Sequence, residues 1–400
     1  MRIEVEDKLD RIADIWNYFI WDYKFCSSKI KFNEDVRTNY FGDILGYFKD
    51  TLDIVFSDKK YTNYADKFSF TISFLQSIYI QQDFTQEMLE IFKTGTDKGK
   101  LKQDETYYLN RDLRNELIGH PIRKAEIPIG EFDNKECDFC GKPLTKPKNK
   151  LALLSSTIFS YQEKEDEIQY LLYHRNNNFK FENRTFKILD IQKRHSEFLI
   201  KYFDEILSKL KTILNEYLSE LDKLEKVIEK RDFKTVLKLV ELYFEAIFKS
   251  DFVYDKDSLL EIYDRRYEHL RYQNYIDRFY FVLRNEIADK RKYVIDIFGS
   301  KLVDKSSLKK PLPKINIIIT SSNDPIEVKE EGKVTYHYEI SKIATKRNTI
   351  DFDFFGGLLR SKCKDNELVL NELNYMERNI SSEIEYYTSL RLICTELNEE

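Results

Sequence analysis

The chain has 400 residues, 42% of them hydrophobic and 14% aromatic, and carries a formal net charge of −5. That apolar content excludes long disordered stretches, and the acidic balance argues against generic coating of nucleic-acid backbones while leaving room for a local basic cleft. Five cysteines without framework spacing, a charged start (Met1-Arg2-Ile3-Glu4) and no apolar run near ~18 residues make a cytoplasmic protein without membrane spans the expectation.

The expected fold class is mainly α: an N-terminal helical bundle, a small β-hairpin insertion, long central helices and a small α+β C-terminal part. The corresponding segments are 1–125, 126–190, 191–300 (able to complete the bundle) and 301–400. The first 120 residues read as four or five helices. Leu9, Ile12, Ile15, Trp16 and Phe19 mark the first, and Ile44, Phe48, Leu52 and Val55 the second. Phe68, Ile72, Leu75 and Ile78 mark a third, after which Thr85 reads as the cap of a short new helix. Leu109, Leu113 and Leu117 form the stripe of the last, which should stop near Ile118 with Gly119 as its left-handed terminator and His120 held out of the helical region by Pro121.

Pro128, Gly130, Gly141, Pro143 and Pro147 mark a loop or linker. Within it Cys137-Asp138-Phe139-Cys140 looks like one knuckle of a zinc ribbon, but the second Cys-x2-Cys that tetrahedral zinc needs is absent. A metal-free loop is the preferred reading, and a zinc site built from Cys137 and Cys140 of two copies, as in a zinc-dependent nucleic-acid-binding regulator, is the alternative. Strands are expected over 152–161, 167–174 and 179–188, and a long bundle-type helix over 191–228. Further helices follow over 232–249 and 257–297, then short strands over 315–320 and 333–340, and a closing helix over 367–394.

The stretch Asp112-Leu113-Arg114-Asn115-Glu116-Leu117-Ile118-Gly119-His120-Pro121 carries the chemistry. Arginine grips phosphate through a rigid fork, and histidine is the side chain that titrates near neutral pH. On an unbroken helix Arg114 and His120 would point roughly 120° apart, at ~100° per residue, so a break at Gly119 is what lets them converge. RNA brings its own nucleophile, the 2′-OH, and needs only proton transfer and stabilisation of an anionic phosphorane. His120 supplies the first, Arg114 the second, and Asn115 orients one or the other.

Arg114, Asn115 and His120 at this spacing resemble the signature of HEPN domains, the "higher eukaryotes and prokaryotes nucleotide-binding" family. Tyr79-Ile80-Gln81-Gln82-Asp83 resembles, more weakly, a polar segment that precedes the motif in some bacterial members. The resemblance covers about residues 1–125. It implies a helical bundle that forms a homodimer, with Arg and His of both copies lining one cleft. It also implies a metal-independent endoribonuclease without cofactors, of the toxin or antiviral-defence type, acting on RNA and held by an antitoxin or sensor protein. Other members are non-catalytic scaffolds that bind a nucleotide or a partner protein, which is the alternative reading.

Secondary substrate-binding candidates are Gln82, Asp83, Arg111, Arg266 and Arg271. The last two fall in Tyr263-Asp264-Arg265-Arg266-Tyr267-Glu268-His269-Leu270-Arg271-Tyr272, where arginines interleave with rings that could stack bases. The plainer reading, a bundle helix with a tyrosine-rich buried side and a charged outer side, is preferred.

Overall fold

Apolar residues recurring at three- and four-residue steps make the chain mainly helical, with one small antiparallel sheet inserted among the described residues. The computed structural model describes residues 1–57, 63–125, 148–154, 166–173, 180–230, 232–245, 256–299, 336–345 and 347–398. They form two units: Met1–Trp21 with Ser27–Thr212, and Asp22–Cys26 with Ile213–Glu400.

In the first unit, α1 (Arg2–Ile15) buries Val5, Leu9, Ile12 and Ile15. A widened turn, Trp16–Ile20, then stacks Trp16 on Phe41 at 4.0 Å between ring centroids. Helix α2 (Phe41–Val55) buries Phe48, Leu52 and Val55. Helix α3 (Tyr64–Ile91) is capped by Asn63, whose Oδ1 accepts from the Asp66 N–H at 2.9 Å. No new helix starts at Thr85, as its position in the sequence suggests; its hydroxyl donates back to the Gln81 carbonyl at 2.7 Å inside one continuous 28-residue helix. Helix α4 (Glu105–Arg114) is capped by Asp104, which accepts from the Thr106 N–H at 2.8 Å. It buries Tyr107, Asn110 and Leu113, while Leu109, expected on the apolar stripe, is exposed.

Helix α5 (Ile188–Ile228) contributes its residues up to Thr212 to this unit. Phe203 packs on Phe48 and Phe198 on Tyr107, with ring centroids 5.5 and 5.6 Å apart. The fully buried His195 places Nε2 2.8 Å from Gln81 Oε1, and Gln81 Nε2 donates to Thr51 Oγ1 at 2.8 Å. This polar chain ties α5, α3 and α2 together through the core.

The sheet runs β1 (Ile122–Ala125), β2 (Lys148–Leu153), β3 (Glu167–Tyr173) and β4 (Phe181–Lys187), in that order and antiparallel throughout. The first expected strand therefore begins earlier, at Lys148, and β1 is a strand the periodicity did not suggest; residues 155–161 lie outside the described residues. Ala152, Ile168, Tyr170 and Leu172 share the covered face and pack with Phe74, Leu75, Ile78, Leu113 and Leu117. The sheet thus lies directly on the end of α4.

In the second unit, α6 (Phe233–Tyr243) starts on an Asp232 cap. The expected helix over 257–297 is two, α7 (Lys256–Asp264) and α8 (Leu270–Phe298), because His269 is extended and its Nδ1 accepts from the Arg271 N–H at 3.2 Å, which starts a fresh helix. The described elements toward the C-terminus are helices: α9 (His337–Thr345), α10 (Thr349–Lys362), α11 (Glu367–Arg378) and α12 (Glu383–Asn398). The expected strand over 333–340 is overridden from His337 onward because Ile340, Ile343 and Ala344 bury one helical face; the expected strand over 315–320 lies outside the described residues. Ile343, Phe352, Leu359, Leu373, Met376 and Tyr386 form this core. No described helix is long and apolar enough to cross a membrane.

Candidate active site

The last turn of α4 does not stop at Ile118. It widens into a π-helical turn, Asn115–Gly119, closed by the His120 N–H donating to the Asn115 carbonyl at 2.7 Å. His120 then leaves the helix with φ −142° and ψ 64°, as its place before Pro121 requires. The Pro121 carbonyl accepts from the Ala152 N–H at 2.9 Å, and Glu116 Oε1 accepts from the Tyr170 hydroxyl at 3.0 Å. Two strands thereby fix the backbone on either side of the histidine. Burial, and then the facing Glu116 carboxylate, push the Tyr170 hydroxyl well above its usual range, so it remains a donor.

Gly119 has a different role from the expected one. It is not left-handed: Gly95 carries the positive φ found among the glycines described. Gly119 is needed for closeness, because a Cβ there would sit 2.7 Å from Arg114 Nη1 and 3.3 Å from Asn115 Oδ1. The guanidinium of Arg114 therefore folds over the backbone one residue before His120.

Among the described residues, Arg114 is held by uncharged groups. Gln76 Oε1 accepts from its Nε–H at 3.1 Å and its Nη2–H at 2.8 Å. Asn115 Oδ1 accepts from Nη1–H at 3.1 Å, and the Tyr79 ring lies 4.1 Å from Cζ. Of the five guanidinium N–H groups, this arrangement leaves one on each Nη, a pair suited to two oxygens of one phosphate. Arg114 and Asn115 are half-buried and His120 is exposed; the His120 side chain makes no hydrogen bond among the described residues.

Arg111 lies against the other candidates, with Cζ 4.0 Å from the Tyr79 ring and Nη1 2.8 Å from Asp83 Oδ1. One tyrosine ring thus carries two guanidiniums, one neutralised by a carboxylate and one not. Gln82, one residue earlier, turns the opposite way: it is fully buried and its Nε2 donates to the Tyr107 carbonyl at 2.8 Å, which makes it a link between α3 and α4 and not a solvent-facing contact.

Arg266 and Arg271 belong to the other unit. Arg266 is stacked between Tyr263 and Tyr267, 3.9 and 4.2 Å from the ring centres, and its Nη1 donates to the Tyr263 carbonyl at 2.6 Å. Arg271 is a buried structural cation: it pairs with Glu372 at 2.8 Å and with Glu385, bonds Ser389, and lies 3.6 Å from the centre of the Tyr375 ring. With its charge consumed inside the helical core, it corrects the reading as a substrate contact in favour of the plainer one. Cys137 and Cys140 lie outside the described residues.

Gln76 is the member that sequence reasoning missed, and Tyr79 entered it only as the start of the weaker segment, with no role of its own. Their signal is spacing: Gln76, Tyr79 and Asp83 fall at i, i+3 and i+7 on α3, facing Tyr107, Arg111 and Arg114 at i, i+4 and i+7 on α4. Comparison with family models, with curated proteins and with solved structures finds no match to this chain.

Proposed function

We propose that the chain is a metal-independent endoribonuclease of the HEPN type, with Arg114, Asn115 and His120 as its catalytic residues. The observation that carries this reading is the uncharged clamp of Gln76, Asn115 and Tyr79 on Arg114. A structural arginine is ordinarily matched by a carboxylate, as Arg271 is here. A cation held by amides keeps its charge available to an incoming anion, and the exposed imidazole of His120 begins one residue beyond the Gly119 contact.

In the reaction, the 2′-oxygen forms a bond to phosphorus and the bond to the 5′-oxygen breaks. His120 takes the 2′-OH proton as the new bond forms, and the imidazolium of this copy or of the second returns one to the leaving 5′-oxygen, while Arg114 holds the non-bridging oxygens as their charge grows. The products are a 2′,3′-cyclic phosphate and a 5′-hydroxyl, and DNA is not cut. Two copies would share one cleft, and the setting would be a toxin or antiviral-defence system with an antitoxin or sensor partner.

The test is to incubate the purified chain with RNA in EDTA and to compare His120→Ala and Arg114→Ala. Each should reduce cleavage by about 10²-fold or more, in keeping with the loss of one acid–base or oxyanion group. Equal cleavage by all three would sink the assignment, and so would cleavage of a 2′-deoxy substrate at the same rate.

A further inference from the structure

Beside its buried face, helix α2 carries a half-exposed one that meets α3 through Tyr40, at Glu87, and Tyr47, at Phe84. Phe41, Ile44, Leu45 and Phe48 are buried on one side, while Tyr40, Asp43, Tyr47 and Asp50 follow one another at steps of three and four on the other. Tyr40 is 41% and Tyr47 50% exposed. Phe84 of α3 forms the opposite wall, its ring edge-on to Tyr47 with centroids 5.7 Å apart, and all five line one open groove. Gly42 and Gly46 form its floor, and a Cβ at either would meet nothing within 4 Å, so the space above them is open. Asp43 and Asp50 have no hydrogen bond or ion pair among the described residues, while Lys49 between them is committed to Asp10 at 2.5 Å.

Rings exposed on the polar side of an amphipathic helix, interleaved with unpaired carboxylates, are complementary to cations carried on an apolar stem. The charge excludes the other occupants. A nucleic acid would meet two carboxylates, an apolar partner would bury them unpaired, and a symmetric contact with a second copy would set them against their own kind. We propose that this groove docks a basic segment of a partner protein, its arginine or lysine stems lying on Tyr47 and Phe84 and its charges reaching Asp43 and Asp50. The glycine floor lets the partner's backbone approach closely. The inference does not rest on the nuclease reading, because none of its residues belongs to the Arg114 site.

A fluorescein-labelled hexa-arginine peptide, titrated with the full chain and followed by fluorescence anisotropy, tests it. Saturable binding is expected. Asp43→Asn with Asp50→Asn should weaken it at least tenfold, as should Gly46→Leu, which fills the groove from an open position. Arg114→Ala should leave it unchanged, and thermal melting should show all variants folded. No saturable binding, or equal affinity for the wild type and the Asp43/Asp50 double variant, overturns the proposal.

Discussion

In the proposed site, Arg114 would act through what surrounds it. A carboxylate in place of Gln76 would satisfy the same two N–H groups with the same shape and remove the charge on which a phosphate depends. Gln76→Glu is therefore expected to leave the fold intact and to weaken RNA binding about tenfold, roughly 1.4 kcal/mol, with cleavage falling at least as far. Direct titration of a short RNA against both proteins measures this, and equal affinities would show that neutrality of the clamp does not matter. Gly119 makes a second case. Because its φ is not left-handed, Gly119→Ala carries no backbone penalty, and the added Cβ meets the far end of a flexible side chain. The guanidinium yields and the fold survives: cleavage should drop between ten- and a hundredfold, with a stability change within about 1 kcal/mol. A large loss in the denaturant midpoint with full activity per folded molecule would instead make Gly119 a helix terminator.

Helical elements were legible in the sequence wherever one apolar face dominates. The buried residues of α1 and α2 lie where the periodicity puts them. Helix ends were less legible, because they depend on which side chain bonds which backbone group. Thr85 bonds backward and starts nothing, whereas His269 bonds forward and divides an apparently continuous helix. The proposed site rests on a motif read in the sequence, but its support was not legible there, since Gln76 reaches Arg114 only across the packing of α3 on α4. Invisible, too, was the buried imidazole of His195, which stacks on Phe198 and places Nε2 beside Gln81 Oε1. Burial lowers its pKa from 6.5 to about 3, so it is neutral in the folded chain. Below pH 6.5 the unfolded state takes up a proton that the folded state refuses. Stability is thus fully present above about pH 6.5 and should fall by up to about 1.4 kcal/mol per pH unit as the pH drops toward 3. Urea midpoints at pH 5 and pH 7 read this out, and His195→Gln should flatten the slope between them. An unchanged slope in that variant would place the acid sensitivity elsewhere.

Across the whole molecule, the second unit draws in Asp22–Cys26 from far upstream. There Tyr23 stacks on Tyr217 at 5.8 Å and donates to Glu286 Oε1 at 2.6 Å. No single cut therefore yields both units whole, and the acid–base chemistry is best tested on the full chain. That chain carries a net charge of −5, so on the proposed reading an RNA ligand would gain nothing from the molecule's overall field and would have to be held by local cations. Near Arg114, Arg111 is already matched by Asp83. If two copies share one cleft, two Arg114 side chains carry the phosphate contacts. For a single strand, each neutralised phosphate contributes about −0.7 to the slope of log K against log salt. A site with two such contacts should show a slope near −1.4, well short of that of a protein that tracks a long backbone path. Affinities for a fixed-length RNA between about 50 and 200 mM salt supply the number, and Arg114→Ala should bring the slope close to zero. A wild-type slope of about −4 or steeper, retained in Arg114→Ala, would mean that RNA is held along another basic surface and that Arg114 is not its anchor.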